Sequence, residues 1–204
     1  MRFKLFFPAV LAVSFLLSAA VPASPQTVPE YREKGGIPLE VGAGFSDFNI
    51  DFGQGRREDG GTVSADWTLR RMPHLLHGLG IDGAGRDIVF DAPAAVSFVE
   101  YRTVGGGAIY HFPRPHNIVP YVRTGEGYGW LKFLPGYAPG TYHSDTRGYF
   151  YAGGGADFHA YHHLWIRADY EFQRWQQLFG DPGRLTPNGF TIGPEFDFGT
   201  FHGH

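Results

Sequence analysis

The chain has no cysteine. In an exported protein that excludes a disulfide frame and thiol chemistry. Beyond the first two dozen residues, no segment is apolar for the ~20 residues a membrane helix needs. Basic side chains are outnumbered, 17 Lys and Arg against 20 Asp and Glu. Without Arg2 and Lys4 the balance is 15 against 20, a net of −5 with His neutral. That deficit argues against a nucleic-acid partner, whose binding surface is basic. The glycine triplets Gly105–Gly107 and Gly153–Gly155 lack the Gly-Lys-Ser/Thr that a phosphate loop requires, and no helix start follows them. No cofactor motif is read.

The first residues form an export signal. Arg2 and Lys4 make a basic start, Phe6 to Val21 is a short apolar run, and Val21-Pro22-Ala23 offers small residues for cleavage. Residues 1–23 are read as a cleavable signal peptide. Residues 24–36 are read as a flexible lead-in, 37–199 as the folded unit and 200–204 as a short tail. The mature length suits one domain.

The remainder is rich in glycine (30 residues) and aromatics (17%). Its apolar residues alternate with polar ones. From Leu164 to Gln173, Leu164, Ile166, Ala168, Tyr170 and Phe172 fall on one parity, and Arg167, Asp169, Glu171 and Gln173 on the other. A β-strand sends alternate side chains to opposite faces, so this strand has a charged face and a mostly apolar one.

Eight such segments are expected: Pro38–Phe52, Thr62–Arg70, Leu75–Val89, Val99–Phe112, Val119–Phe133, Tyr149–Phe158, Leu164–Gln173 and Gly189–Gly199. In the first, Val41 and Phe45 share one parity while Phe48, Ile50 and Phe52 share the other, which predicts a bulge or the membrane edge near Ser46–Asp47. Connections alternate in length. Arg71–His74, Pro113–Asn117 and His159–His163 are short; Gly53–Gly61, Phe90–Phe98, Leu134–Gly148 and Gln177–Asn188 are long. Short turns at one end and long loops at the other is the outer-membrane arrangement, with both termini at the short-turn, periplasmic end. The fold class is therefore all-β: a closed, antiparallel, eight-stranded transmembrane barrel.

The last strand reads Thr191-Ile-Gly193-Pro-Glu-Phe196-Asp-Phe198, a polar residue, glycine, apolar residue and terminal aromatic at spaced positions. With the glycine-rich runs Gly125–Gly129 and Gly153–Gly155, this resembles the outer-membrane β-barrel family, the OmpA/OmpX-like eight-stranded barrels, over about residues 37–198. The resemblance implies contact with outer-membrane lipid. It also implies that Thr191, Gly193, Phe196 and Phe198 form a signal to the barrel-insertion machinery. The chain departs from the family in Pro194, which cannot donate within the last strand, and in six residues beyond Phe198. No peptidoglycan-binding domain is expected after the barrel.

Inward parity gathers Glu40, Asp66, Arg70, Asp82, Arg86, Arg123, Asp157, Arg167, Asp169, Glu171, Glu195 and Asp197. An eight-stranded barrel has room inside only for side chains, so these charges are expected to pair as a plug; the functional alternative is an ion or proton path. Arg167 is expected to contact at least one of Asp157, Asp169, Glu195 or Asp197. Glu126 shares the lipid parity of Val122 and Tyr128, which calls for a bulge or a place near the outer rim. His143-Ser144-Asp145 holds triad residue types, but consecutive residues cannot form a triad's line, and Ser64, the one serine placed well inside a strand, has no histidine partner. No catalytic residue is assigned.

Nine of the ten histidines, His74, His77, His111, His116, His159, His162, His163, His202 and His204, fall at the periplasmic end. They read as polar turn and tail residues, with His162, His163, His202 and His204 the ligand set if that rim binds metal. The expectation is a non-enzymatic, structural or surface-interacting protein whose long loops could meet an extracellular ligand. Leu134–Gly148 is the best such loop, and Arg56, Arg57 and Arg184 are placed for lipid phosphates. A lipid-modifying enzyme or narrow pore on the same scaffold is the alternative.

Overall fold

The computed structural model describes residues 36–51, 57–69, 76–89, 99–112, 117–133, 144–176 and 184–199. The proposed signal peptide and C-terminal tail lie outside these residues, as do Arg70, His74, His116 and His143. Eight strands follow in order: β1 Gly36–Asn49, β2 Arg57–Thr68, β3 Leu79–Val89, β4 Val99–His111, β5 Ile118–Phe133, β6 Ser144–Tyr161, β7 Leu164–Trp175 and β8 Asn188–Gly199. Each pairs antiparallel with the next, and β8 returns to β1, closing the barrel.

The ladder registers fix the tilt. From Leu39 the partners run through Trp67, Ile81, Ala108, Thr124, Ala152, Phe172 and Asn188, and return to β1 at Asn49, ten residues further on. Closing a sheet with such a stagger forces the strands to lean to the barrel axis. Residues at one height therefore drift by a little over one position per strand.

Alternation then sorts the side chains. Val63, Ile81 and Tyr128 are 62%, 57% and 64% exposed, and Phe45, Val122, Phe150, Tyr170, Phe172 and Ile192 share that outer face. So wide an apolar belt on every strand is a lipid-facing surface. Inward positions carry Glu40, Asp66, Asp82, Arg86, Arg123, Asp157, Arg167, Asp169, Glu171 and Glu195, all buried.

Several expectations are corrected. β1 has no bulge near Ser46–Asp47; its pairing with β2 runs unbroken from Leu39 to Asn49. Even-numbered residues point inward along the whole of β1, so Phe48 and, just past its end, Ile50 are buried in the lumen. The apolar parity changes because the lumen's contents change from charged to aromatic towards the outer end. β6 runs from Ser144 to Tyr161, beyond the expected Tyr149–Phe158, which shortens the following turn to His162–His163, where His162 adopts a positive φ of 44°. The β2–β3 connection is longer than Arg71–His74: the ladder ends at Thr68↔Gly80 and is sealed by Leu69 N–H donating to Leu79 O at 2.9 Å. Loop lengths are thus less segregated between the two ends than the sequence suggests.

Pro194 is accommodated at the closing seam. The β1–β8 ladder pairs Gly42 with Glu195, leaves Ala43 and Gly44 out, and resumes at Phe45↔Ile192 in the same register. The missing donor costs a local gap and no slip. Gly193 is needed there, since a Cβ would lie 2.1 Å from Ala43 O.

The charged lumen as candidate functional site

With the tilt taken into account, the lumen is stacked in levels. The innermost charged level, nearest the end that carries both termini, holds Glu40, Asp66, His111, Tyr121, Asp157, Arg167 and Glu195. Arg167 is its hub. Its Nε donates to Asp157 Oδ1 at 2.8 Å, an Nη pairs with Asp66, and Nη2 lies 2.9 Å from Glu195 Oε1 and 3.8 Å from Glu40 Oε2. The Arg167 guanidinium also sits over the Tyr121 ring, 4.6 Å from its centroid. This arrangement puts one cation among four carboxylates.

The next level holds Arg123 among Asp82, Asp169 and Glu171, at 3.6, 3.0 and 2.7 Å. Arg86 lies above it, with Nη1 donating to Glu171 Oε1 at 3.0 Å and Nε to Thr62 Oγ1 at 3.0 Å. Glu171 thus bridges two guanidiniums, which is how the acids of neighbouring strands escape mutual repulsion. The hydroxyls of Ser46, Thr62 and Thr191 close the remaining wall, with Ser46 Oγ 2.5 Å from Thr62 and 2.9 Å from Thr191.

An aromatic lid lies further out. Arg86 stacks over Phe48, 4.2 Å from its centroid, joining the charged levels to a cluster of Phe48, Ile50, Ile88, Tyr101, Leu131, Tyr149, Tyr151 and Trp175. Trp175 and Tyr149 are stacked with centroids 5.6 Å apart. Their polar atoms reach down into the network: Tyr101 Oη donates to Gln173 Oε1 at 2.5 Å, Trp175 Nε1 donates to the same oxygen at 2.7 Å, and Gln173 Nε2 donates to Glu171 at 2.6 Å. Inward glycines make room for the rings; a Cβ at Gly105 or Gly125 would lie 2.6 Å from a tyrosine hydroxyl. Between the levels, a cavity of about 20 Å³ beside Gly42, Ser64, Arg123, Arg167 and Asp169 has room for roughly one water.

Of the twelve charges assigned to the lumen, ten are buried together there. Arg70 lies outside the described residues. Asp197 sits half-exposed at the inner rim, where its carboxylate accepts from Gly199 N at 2.7 Å and so serves the strand end. His111 is also misread by the sequence as a turn residue; it is the last residue of β4, points inward and is 2% exposed. The sequence reading missed Ser46, Phe48 and Tyr101 as lumen residues as well. Carrying one unbroken parity along β1 and β4 would have found them. Within the C-terminal motif, Thr191 faces the lumen, whereas Phe196 and Phe198 face outward and meet edge to face at 5.0 Å. Ser144 and Asp145 open β6, and Asp145 pairs with Arg147 at 3.0 Å.

A family model described as outer membrane protein beta-barrel domain matches residues 9–198. The chain belongs to the outer-membrane β-barrel family. Its place is accordingly the outer membrane of a Gram-negative-type envelope. Comparison with curated proteins gives no match. Among solved structures, neisserial surface protein A superposes with a TM-score of 0.64 at 14% identity, covering 81% of this chain and all of that one. The attachment invasion locus protein Ail of Yersinia pestis gives 0.49 at 17% identity, covering 80% and 99%. The N-terminal barrel of OprF from Pseudomonas aeruginosa gives 0.49 at 15%, covering 79% and 99%. At such identities the likeness is one of fold. The start of β1 at Gly36 and the end of β8 at Gly199 share one rim with the His162–His163 turn, and the aromatic lid lies towards the other rim; a two-residue turn is the periplasmic kind in outer-membrane barrels.

Proposed function

We propose that this outer-membrane barrel is a non-enzymatic, structural or surface-interacting protein with a closed lumen. The observation that carries the reading is the continuous plug from Arg167 through Arg123 and Arg86 to Phe48 and Trp175. Side chains that bind one another from opposite walls leave little free volume for ions to cross. The lumen hydroxyls also argue against catalysis. Ser46 is engaged by two threonines, and the one histidine buried in the lumen among the described residues, His111, sits at the inner end. The partners of such a protein are outer-membrane lipid, the insertion machinery that reads its last strand, and a ligand met by the outer loops, residues 134–143 among them.

Charges on the outer face mark where lipid headgroups begin. Arg57, Arg102, Lys132 and Arg174 are exposed at the outer ends of their strands, and Arg57 pairs with Asp47 and Arg102 with Asp87 at 2.6 and 3.1 Å. This belt suits headgroups carrying phosphates. Planar-bilayer recording tests the closed lumen: the refolded protein should give no steady conductance. A stable open channel in the wild type would refute it. Deleting residues 135–142 should leave heat-modifiable gel mobility intact while removing any binding to cells or matrix.

A further inference from the structure

We propose that the innermost lumen level is a divalent metal site, built by Glu40, Asp66 and His111 with Asp157 and Glu195 beside them, and suited to a borderline first-row ion such as zinc. Two independent observations lead there. The first is charge. Four carboxylates share this level with one guanidinium, Arg167, a formal excess of three negative charges inside a closed wall. The next cation, Arg123, is committed to three acids of its own. Buried charge is stable only when compensated.

The second observation is His111. It is 2% exposed, its Nε2 faces Asp157 Oδ2 at 3.4 Å, and its Nδ1 has no hydrogen-bond partner among the described residues. Asp66 Oδ1, on the same level, also lacks one. A buried ring nitrogen left without a partner is costly unless something binds it. One of its nitrogens lies within 4.8 Å of a carboxylate oxygen of Glu40 and one of Asp66, all mutually so. Glu40, Asp157 and Glu195 form a second such group, sharing Glu40. Ligands on a tetrahedral zinc stand roughly 3.4 Å apart, given bonds near 2.1 Å, so the side chains must rotate inward by up to about 1.4 Å to close the set.

The donor types select the ion. One imidazole with carboxylates suits zinc or a neighbouring divalent transition metal. Calcium takes six to eight oxygens and would leave the imidazole unused. Asp157, beside His111, is placed to orient the ring, as acids behind metal-bound histidines do. Access is from the periplasm, where Asp197 stands half-exposed two residues beyond Glu195.

The test uses the full mature chain refolded in detergent, stripped with EDTA and checked by heat-modifiable mobility. After incubation with zinc and desalting, elemental analysis should find one equivalent retained, and bound zinc should raise the unfolding midpoint. Cobalt in its place should show the visible spectrum of an imidazole-ligated ion. His111→Gln and the near-isosteric Asp66→Asn should each weaken retention at least tenfold, whereas His162→Ala/His163→Ala should not. Wild-type protein that retains no metal overturns the site whether or not the variants fold, and leaves protons as the compensating charge. Equal retention in wild type and His111→Gln also overturns it, placing the metal on surface histidines.

Discussion

Arg167 Nε donates to Asp157 Oδ1 at 2.8 Å, across the β6–β7 ladder in which the two residues are direct partners. The same guanidinium reaches Glu195 on β8 and Asp66 on β2. One side chain therefore ties four strands on both sides of the closing seam. Removing its head group leaves several carboxylates without their cation in a confined space, a cost of about 3–5 kcal/mol. Arg167→Met should lower the urea unfolding midpoint in detergent markedly at neutral pH. The deficit should shrink in acid, because protonation removes the charge that the missing guanidinium had balanced. A variant as stable as the parent at neutral pH would show that Arg167 balances nothing.

The inside and outside of this strand were legible from the sequence because its parity is pure from Ile166 to Gln173: every even position is uncharged and every odd one polar. β1 was harder. Val41 and Phe45 face lipid while Phe48 and Ile50 face the lumen, and hydrophobicity alone reads that change of parity as a bulge. The ambiguity is physical, since an aromatic lid and a lipid face ask for the same residue types. His111 was missed for a related reason. It ends a strand beside a turn, and whether such a residue points in or out depends on a register that composition does not carry. The pairing of Arg86 and Arg123 through Glu171 was equally out of reach, because inward parity names the charges but not which opposing walls meet.

The lid makes its own prediction. Trp175 packs its six-membered ring against Gly129, where a Cβ would fall 1.9 Å from the indole. Gly129→Ala should push the ring out of its stack with Tyr149 and release Trp175 Nε1 from Gln173. Overpacking of this kind costs about 1–3 kcal/mol. The expected readouts are a shifted tryptophan emission and a lower unfolding midpoint, with the fold retained. Unchanged emission would mean that the stack tolerates the added methyl group.

Gly193 predicts an assembly defect. It stands where the ladder pauses opposite Ala43 and Gly44, and a Cβ would clash with Ala43 O at 2.1 Å. Backbone cannot rotate away as a side chain can, so Gly193→Val should hold the seam open. The variant should lose the fast-migrating band on unboiled gels. Pro194→Val, which restores a donor at the gap, should keep that band and raise the unfolding midpoint slightly.

Glu126 supplies the last test, because it breaks the pattern that defines the outer wall. β5 pairs in constant register with β4 and β6 through Gly106↔Glu126 and Glu126↔Phe150, so no bulge turns the carboxylate inward. It is exposed on the outer face. Corrected for tilt, it stands near the level of Phe172 and Phe190, which are 45% and 38% exposed and belong to the lipid belt. The nearest outward cation on that side, Arg174, is two strands away through Phe150. A carboxylate in the outer half of the lipid belt is less costly than one at the midplane, yet it still opposes insertion. Glu126→Leu should therefore stabilise the barrel in lipid vesicles by roughly 1 kcal/mol, while leaving stability in a water-rich detergent shell nearly unchanged. The difference between the two media is the diagnostic quantity, because a merely local packing gain would raise both. Loss of stability in vesicles would instead mean that Glu126 holds a partner at the membrane surface, and that the lipid belt ends below it.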